Sequence, residues 1–192
     1  MAKIRLRYGF HKEAEGYAAE FREELGLSPI CPIDPFQLAT LLAVPIRKLS
    51  KDDFIPKDIR DFFGGMGSNS FSALTLFDDT RAQILLNDNH QPVRQHSSIM
   101  HELAHVLLGH PARPPLSPDG CRHFDRVLEK EADDLGWTIL VPKRAALHAV
   151  EGFVGLGDAA AHFGVSSALL EYRIRKADAR KWSANRAKKI MT

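Results

Sequence analysis

The run His101-Glu102-Leu103-Ala104-His105 constrains this chain more than any other stretch of it. Residues four apart on an α-helix share one face, one turn apart, so both imidazoles can reach a single ion. Glu102 is offset by about 100° around the same helix. That sets its carboxylate beside the ion, where it can take a proton from water. Zn2+ suits such a site because it lowers the pKa of water to about 7 and polarises a carbonyl as a Lewis acid. The surrounding pattern supports a helix. Ile99, Leu103, Val106 and Leu107 form an apolar stripe, Pro92 opens the segment, and Gly109 closes it after Leu108.

A catalytic zinc takes three protein ligands and keeps an open position, so a third ligand is expected downstream. Asp119, Asp125, Glu129, Glu131, Asp133 and Asp134 are the acidic candidates. On a helix from His123 to Leu140, one face carries Phe124, Val127, Leu128, Leu135 and Thr138, with Glu131 in its middle. Glu129 and Asp133 fall on the other side, with Asp125, Arg126 and Gly136. A carboxylate within an apolar stripe is costly unless paired, and this selects Glu131. The alternative for Glu131 is a buried ion pair with an arginine. Asp134, at the edge of the same face, is a rival ligand or a group that orients one of the histidines.

Elsewhere the pattern alternates between helix and short strand. Helices are expected over His11–Leu25, from Asp34-Pro35 to about Val44, over Asp52–Phe63, and later over Pro142–Val150, Asp158–Phe163 and Ser166–Lys176. Strands are expected at Pro45–Leu49, and at Ser70–Phe77 and Ala82–Asn87 as a hairpin around Asp78-Asp79-Thr80-Arg81. Pro111, Pro114, Pro115 and Pro118 make the segment from His110 to Cys121 a loop. It is placed to line or cover the cleft. These expectations add up to an α+β fold, mostly helical, with a small mixed β-sheet beside the helix that carries the motif. A zincin-like domain is expected over residues 1–150, with 151–192 as a helical hairpin and basic tail packed on it.

Composition excludes several classes. The chain has 192 residues, 44% hydrophobic, and formal net charge +2. That is enough apolar content for a core, and too neutral a balance to imply a nucleic-acid or membrane partner. Cys31 and Cys121 are the two cysteines, far apart and in no metal-binding spacing. Reduced thiols and a cytoplasmic location are expected. The start alternates charge with apolar residues, which is unlike a signal peptide, and no stretch reaches the ~20 apolar residues of a membrane span.

Several segments together resemble the ImmA/IrrE family of zinc metallopeptidases. They are Asp34-Pro35-Phe36 followed by Leu38-Ala39, Ile84-Leu85-Leu86-Asn87, and His101 through His110. Further on come Glu129-Lys130-Glu131-Ala132-Asp133, Ile139-Leu140-Val141-Pro142, and Phe163-Gly164-Val165-Ser166. The resemblance implies a gluzincin-like site with His101, His105 and Glu131 as ligands and Glu102 as general base. It also implies a protein substrate, a helix-turn-helix transcriptional repressor whose cleavage relieves repression. Ser97, Met100, Gly136 and Trp137 depart from the family's usual residues. An oxyanion donor is not evident; His110 and His123, which flank the proline loop, are candidates. The competing reading is a zinc-containing regulator that displaces a repressor or antagonises a toxin without cutting. The run Ala159 to Leu169 has the pattern of a helix-turn-helix, and basic residues follow Arg173. A solvated tail is favoured there over direct DNA binding.

Overall fold

The computed structural model describes residues 4, 6–78, 81–111 and 125–190. Its helices are α1 (Phe10–Glu24), α2 (Pro35–Leu41), α3 (Lys57–Gly64), α4 (Pro92–Leu107), α5 (Arg126–Leu140), α6 (Lys143–Glu151), α7 (Leu156–His162), α8 (Ser167–Lys176) and α9 (Ala179–Ile190). Its strands are β1 (Ile46–Lys48), β2 (Ala73–Asp78) and β3 (Arg81–Leu86). The fold is therefore α+β and mostly helical, with a small mixed sheet.

The sheet order is β1-β3-β2. β1 runs parallel to β3, pairing Ile46 with Ile84, and β2 runs antiparallel to it, pairing Thr75 with Ile84. Ile84 and Leu86 are fully buried, and α4 packs against β2 and β3. At the end of the hairpin, the buried Asn87 side chain donates to Phe63 O at 2.9 Å and Phe71 O at 3.0 Å. This ties the sheet to the segment that precedes it.

Capping sets several boundaries. The Asp34 carboxylate accepts from Phe36 N at 2.9 Å, with Pro35 in the first turn. α2 then closes at Leu41, short of the expected Val44, because Ala43 adopts φ 53°. α3 starts only after Pro56, although Asp52 looked like its beginning. A proline disfavours helical backbone in the residue before it. α5 begins after Asp125, whose carboxylate accepts from Val127 N at 2.9 Å and Leu128 N at 3.4 Å.

The helical layer is held together by two buried arginines. Arg22 of α1 donates to Ile139 O at 2.9 Å and Leu140 O at 3.2 Å, as well as to Ala18 O and Cys31 O. It thus satisfies carbonyls at the C-terminus of α5, where a cation also meets the negative end of the helix dipole. Burial lowers its pKa to about 10, which leaves it charged at neutral pH. Arg173 of α8 donates to Val141 O at 2.9 Å and pairs with Glu15 at 3.0 Å. Phe163, Leu170 and Ile174 belong to the same continuous core as Phe10, Leu103 and Ile139. The C-terminal segment expected as a basic tail is the helix α9, packed on α6. Buried Ala179 starts it, and Lys143 Nζ stands 4.5 Å from the centre of the Trp182 ring.

Candidate metal centre

α4 and α5 meet almost backbone to backbone. A Cβ added at Gly136 would lie 2.9 Å from the carbonyl oxygen of Met100, the residue before His101. With the helices this close, the residues one and two turns before Gly136 stand opposite the histidines. Asp133 Oδ1 accepts from His101 Nδ1 at 3.0 Å. Glu129 Oε2 lies 3.2 Å from His101 Nε2, and its Oε1 lies 3.9 Å from His105 Nε2. The two Nε2 atoms are themselves 3.0 Å apart.

The structure therefore brings His101 and His105 together with Glu129. Glu131, selected from the periodicity, points elsewhere: its Oε2 lies 3.3 Å from His110 Nε2 and its Oε1 3.8 Å from Arg7 Nε. The apolar stripe of α5 is not the side that meets α4, and Gly136 shows why. Read from sequence, that glycine sits on the polar side of α5; in the fold it marks the closest helix contact and carries Glu129 and Asp133 inward with it. Val127, assigned to the apolar face, is 46% exposed. Asp134 is buried but faces α8, where it accepts from Lys130 Nζ at 2.9 Å and from the Tyr172 hydroxyl. It touches neither histidine of the motif. Burial would raise its pKa, but the hydrogen bonds from Tyr172 and Lys130 outweigh this and hold it below the usual range. His123 and most of the proline loop lie outside the described residues.

Glu102 projects to the other side of the pair, towards the sheet. Its Oε2 accepts from Thr75 N at 2.9 Å and Thr75 Oγ1 at 2.6 Å. Two bonds to one residue fix the carboxylate's rotation and leave Oε1 to receive a proton. Thr75 escaped the sequence reading because no local pattern links a strand threonine to a helix 27 residues away.

The two imidazoles differ in charge. Burial would lower the pKa of His101, but hydrogen bonds to Asp133 and Glu129 and the charges of Glu102 and Asp133 more than offset it, raising it to about 10. His105 is pushed down to about 4 by burial and by the positive charge of His101. The hydrogen bond to His101 keeps Glu129 ionised well below the ordinary carboxylate range.

This donor set fits a divalent cation. Four-coordinate zinc, with bonds of about 2.0–2.1 Å, requires donor atoms roughly 3.3 Å apart. The donor atoms that His101, His105 and Glu129 offer all lie within 4.8 Å of one another. The outer ring nitrogens are already engaged, by Asp133 and His110. Both Nε2 lone pairs can therefore be directed at one ion.

Residues 58–175 match the family model of the IrrE N-terminal-like domain, Peptidase M78. No curated protein and no solved structure matches the chain significantly. No helix among the described residues is long and apolar enough to cross a membrane.

Proposed function

Because the chain belongs to the Peptidase M78 family, we propose that it is a zinc-dependent endopeptidase whose metal is held by His101, His105 and Glu129. The observation that carries this is the convergence of two Nε2 atoms, 3.0 Å apart, with one carboxylate from a second helix. Zinc there supplies Lewis acidity, acidifying water and polarising a peptide carbonyl. Glu102 is the general base: Oε1 accepts the water proton while Thr75 holds Oε2, and the same carboxyl then returns the proton to the leaving amine. Asp133 fixes the ring plane of His101 through Nδ1. Three protein ligands from two helices would leave the ion accessible to the reacting groups.

The substrate is a protein acting inside the cell. The resemblance to the ImmA/IrrE family favours a helix-turn-helix repressor, cut so that repression is lifted. The test is incubation of the zinc-loaded protein with purified helix-turn-helix proteins encoded beside it, followed by mass analysis of fragments. A discrete fragment is expected from the wild type. Glu102→Gln should keep its zinc and lose cleavage by about 10²–10⁴-fold, the usual scale for a general base. A Glu102→Gln protein that still relieves repression would overturn cleavage in favour of simple displacement.

A further inference from the structure

His110 follows directly on the end of α4. Gly109 takes φ +61°, and the reversal is closed by Gly109 N to Val106 O at 3.1 Å and His110 N to His105 O at 3.0 Å. This is the Schellman pair of bonds, and it requires a left-handed residue where Gly109 stands. The turn folds His110 back onto the residue whose carbonyl its own amide caps. Its Nδ1 comes within 2.8 Å of His105 Nδ1, with the two rings edge to face at 4.9 Å between centroids. The His110 side chain is 7% exposed, and its Nε2 lies 3.3 Å from Glu131 Oε2. Arg7 stands 3.8 Å beyond, on the other oxygen of Glu131.

A neutral imidazole has one N–H and one lone pair. On the reading that His105 gives its Nε2 lone pair to the metal, its proton is on Nδ1. That proton can only be donated to His110 Nδ1, which must then be the acceptor. The His110 proton is left on Nε2, facing the Glu131 carboxylate. Every hydrogen in the row is assigned, and the row ends on the Glu131 carboxyl group. Asp133 does the same for His101 in a single step.

We propose that His110 is a positioning residue that fixes the tautomer and ring plane of His105, and that Glu131 acts on the metal centre only through it. The inference rests on the metal site proposed above. It gives Glu131 a role that its failure to reach the histidine pair would otherwise leave empty. It also assigns an acidic residue two places from a proposed ligand to a different histidine.

The test measures zinc affinity by competition with a chromophoric chelator, on proteins whose fold is checked by thermal unfolding without metal. His110→Leu fills the volume but removes the acceptor, and should weaken zinc binding by about 10–100-fold, as loss of such outer partners does. His110→Asn places an oxygen at the same distance along the side chain as Nδ1 and should restore most of the loss. Glu131→Gln should weaken binding in the wild-type background and change nothing in the His110→Leu background. In the metal-free protein, nitrogen-15 shifts of His105 should report the Nδ1–H tautomer in the wild type and a mixture in His110→Leu. Unchanged zinc affinity in His110→Leu overturns the proposal, as does an equal effect of Glu131→Gln in both backgrounds. Glu129→Gln separates this from the underlying reading. If it leaves zinc bound while Glu131→Gln abolishes binding, the metal site itself is wrong and this inference falls with it. If it abolishes binding while His110→Leu has no effect, only the positioning role fails.

Discussion

Glu129 and Glu131 are two residues apart on one helix, yet they serve different histidines. Their separation of about 200° around α5 sends the first against His101 and His105 and the second behind them, to His110. Glu129→Gln should therefore abolish tight zinc binding, whereas Glu131→Gln should weaken it by much less; metal content after dialysis against a weak chelator checks both. The histidine pair also predicts a pH profile for the metal-free protein. His101, raised to about 10 from 6.5, contributes stability that is complete below about pH 6.5 and lost as pH climbs to 10. His105, lowered to about 4, contributes stability that is present above 6.5 and lost as pH falls to 4. Between them the metal-free chain should melt at its highest temperature near pH 6.5. Calorimetry in chelator across this range is the measurement, and a melting temperature that climbs steadily to pH 9 would contradict it.

The pair α4 and α5 is the element on which the site depends, and Gly136 is its narrowest point. Gly136→Ala puts a methyl carbon 2.9 Å from a backbone oxygen that belongs to a helix and cannot rotate away. We expect a loss of about 1–3 kcal/mol in chemical denaturation, together with weaker zinc binding as Glu129 is moved off the histidines. The same glycine marks the limit of what could be read from sequence. The shared face of His101 and His105 was legible because a helix converts a spacing of four directly into one. The cap at Asp34 and the hairpin strands were legible for similarly local reasons. That Glu129 is the carboxylate meeting the two histidines was not, because the face of α5 that turns inward is decided by what packs on it. Apolar side chains on α5 face two neighbours, α1 as well as α4, so a single apolar stripe is a poor guide to the side facing α4. A glycine among polar residues was the available signal, and it indicates close approach rather than exposure.

In the whole molecule, the helical layer and the sheet meet the active helix from opposite sides and each supplies one fixed point. On the helical side, Arg22 closes four carbonyls from three separate segments. Arg22→Met would remove the guanidinium donors from the buried carbonyls of Cys31, Ile139 and Leu140, at a cost on the order of 3 kcal/mol, and should lower the melting temperature whether or not zinc is bound. An equal melting temperature would show that water replaces the guanidinium. On the sheet side, the fixed point is Thr75 on β2, which lies at the edge of the sheet. Ser72 O accepts from Asn87 N, just beyond β3, so by alternation the main-chain groups of Ala73, Thr75 and Phe77 face outward. The outward amide of Thr75 is already committed to Glu102. An extended polypeptide that lengthens the sheet along this border would therefore find the Thr75 amide taken, leaving it the Thr75 carbonyl and the rungs on either side. The carboxylate that would cut a guest chain also dictates the alignment in which such a guest can be laid down.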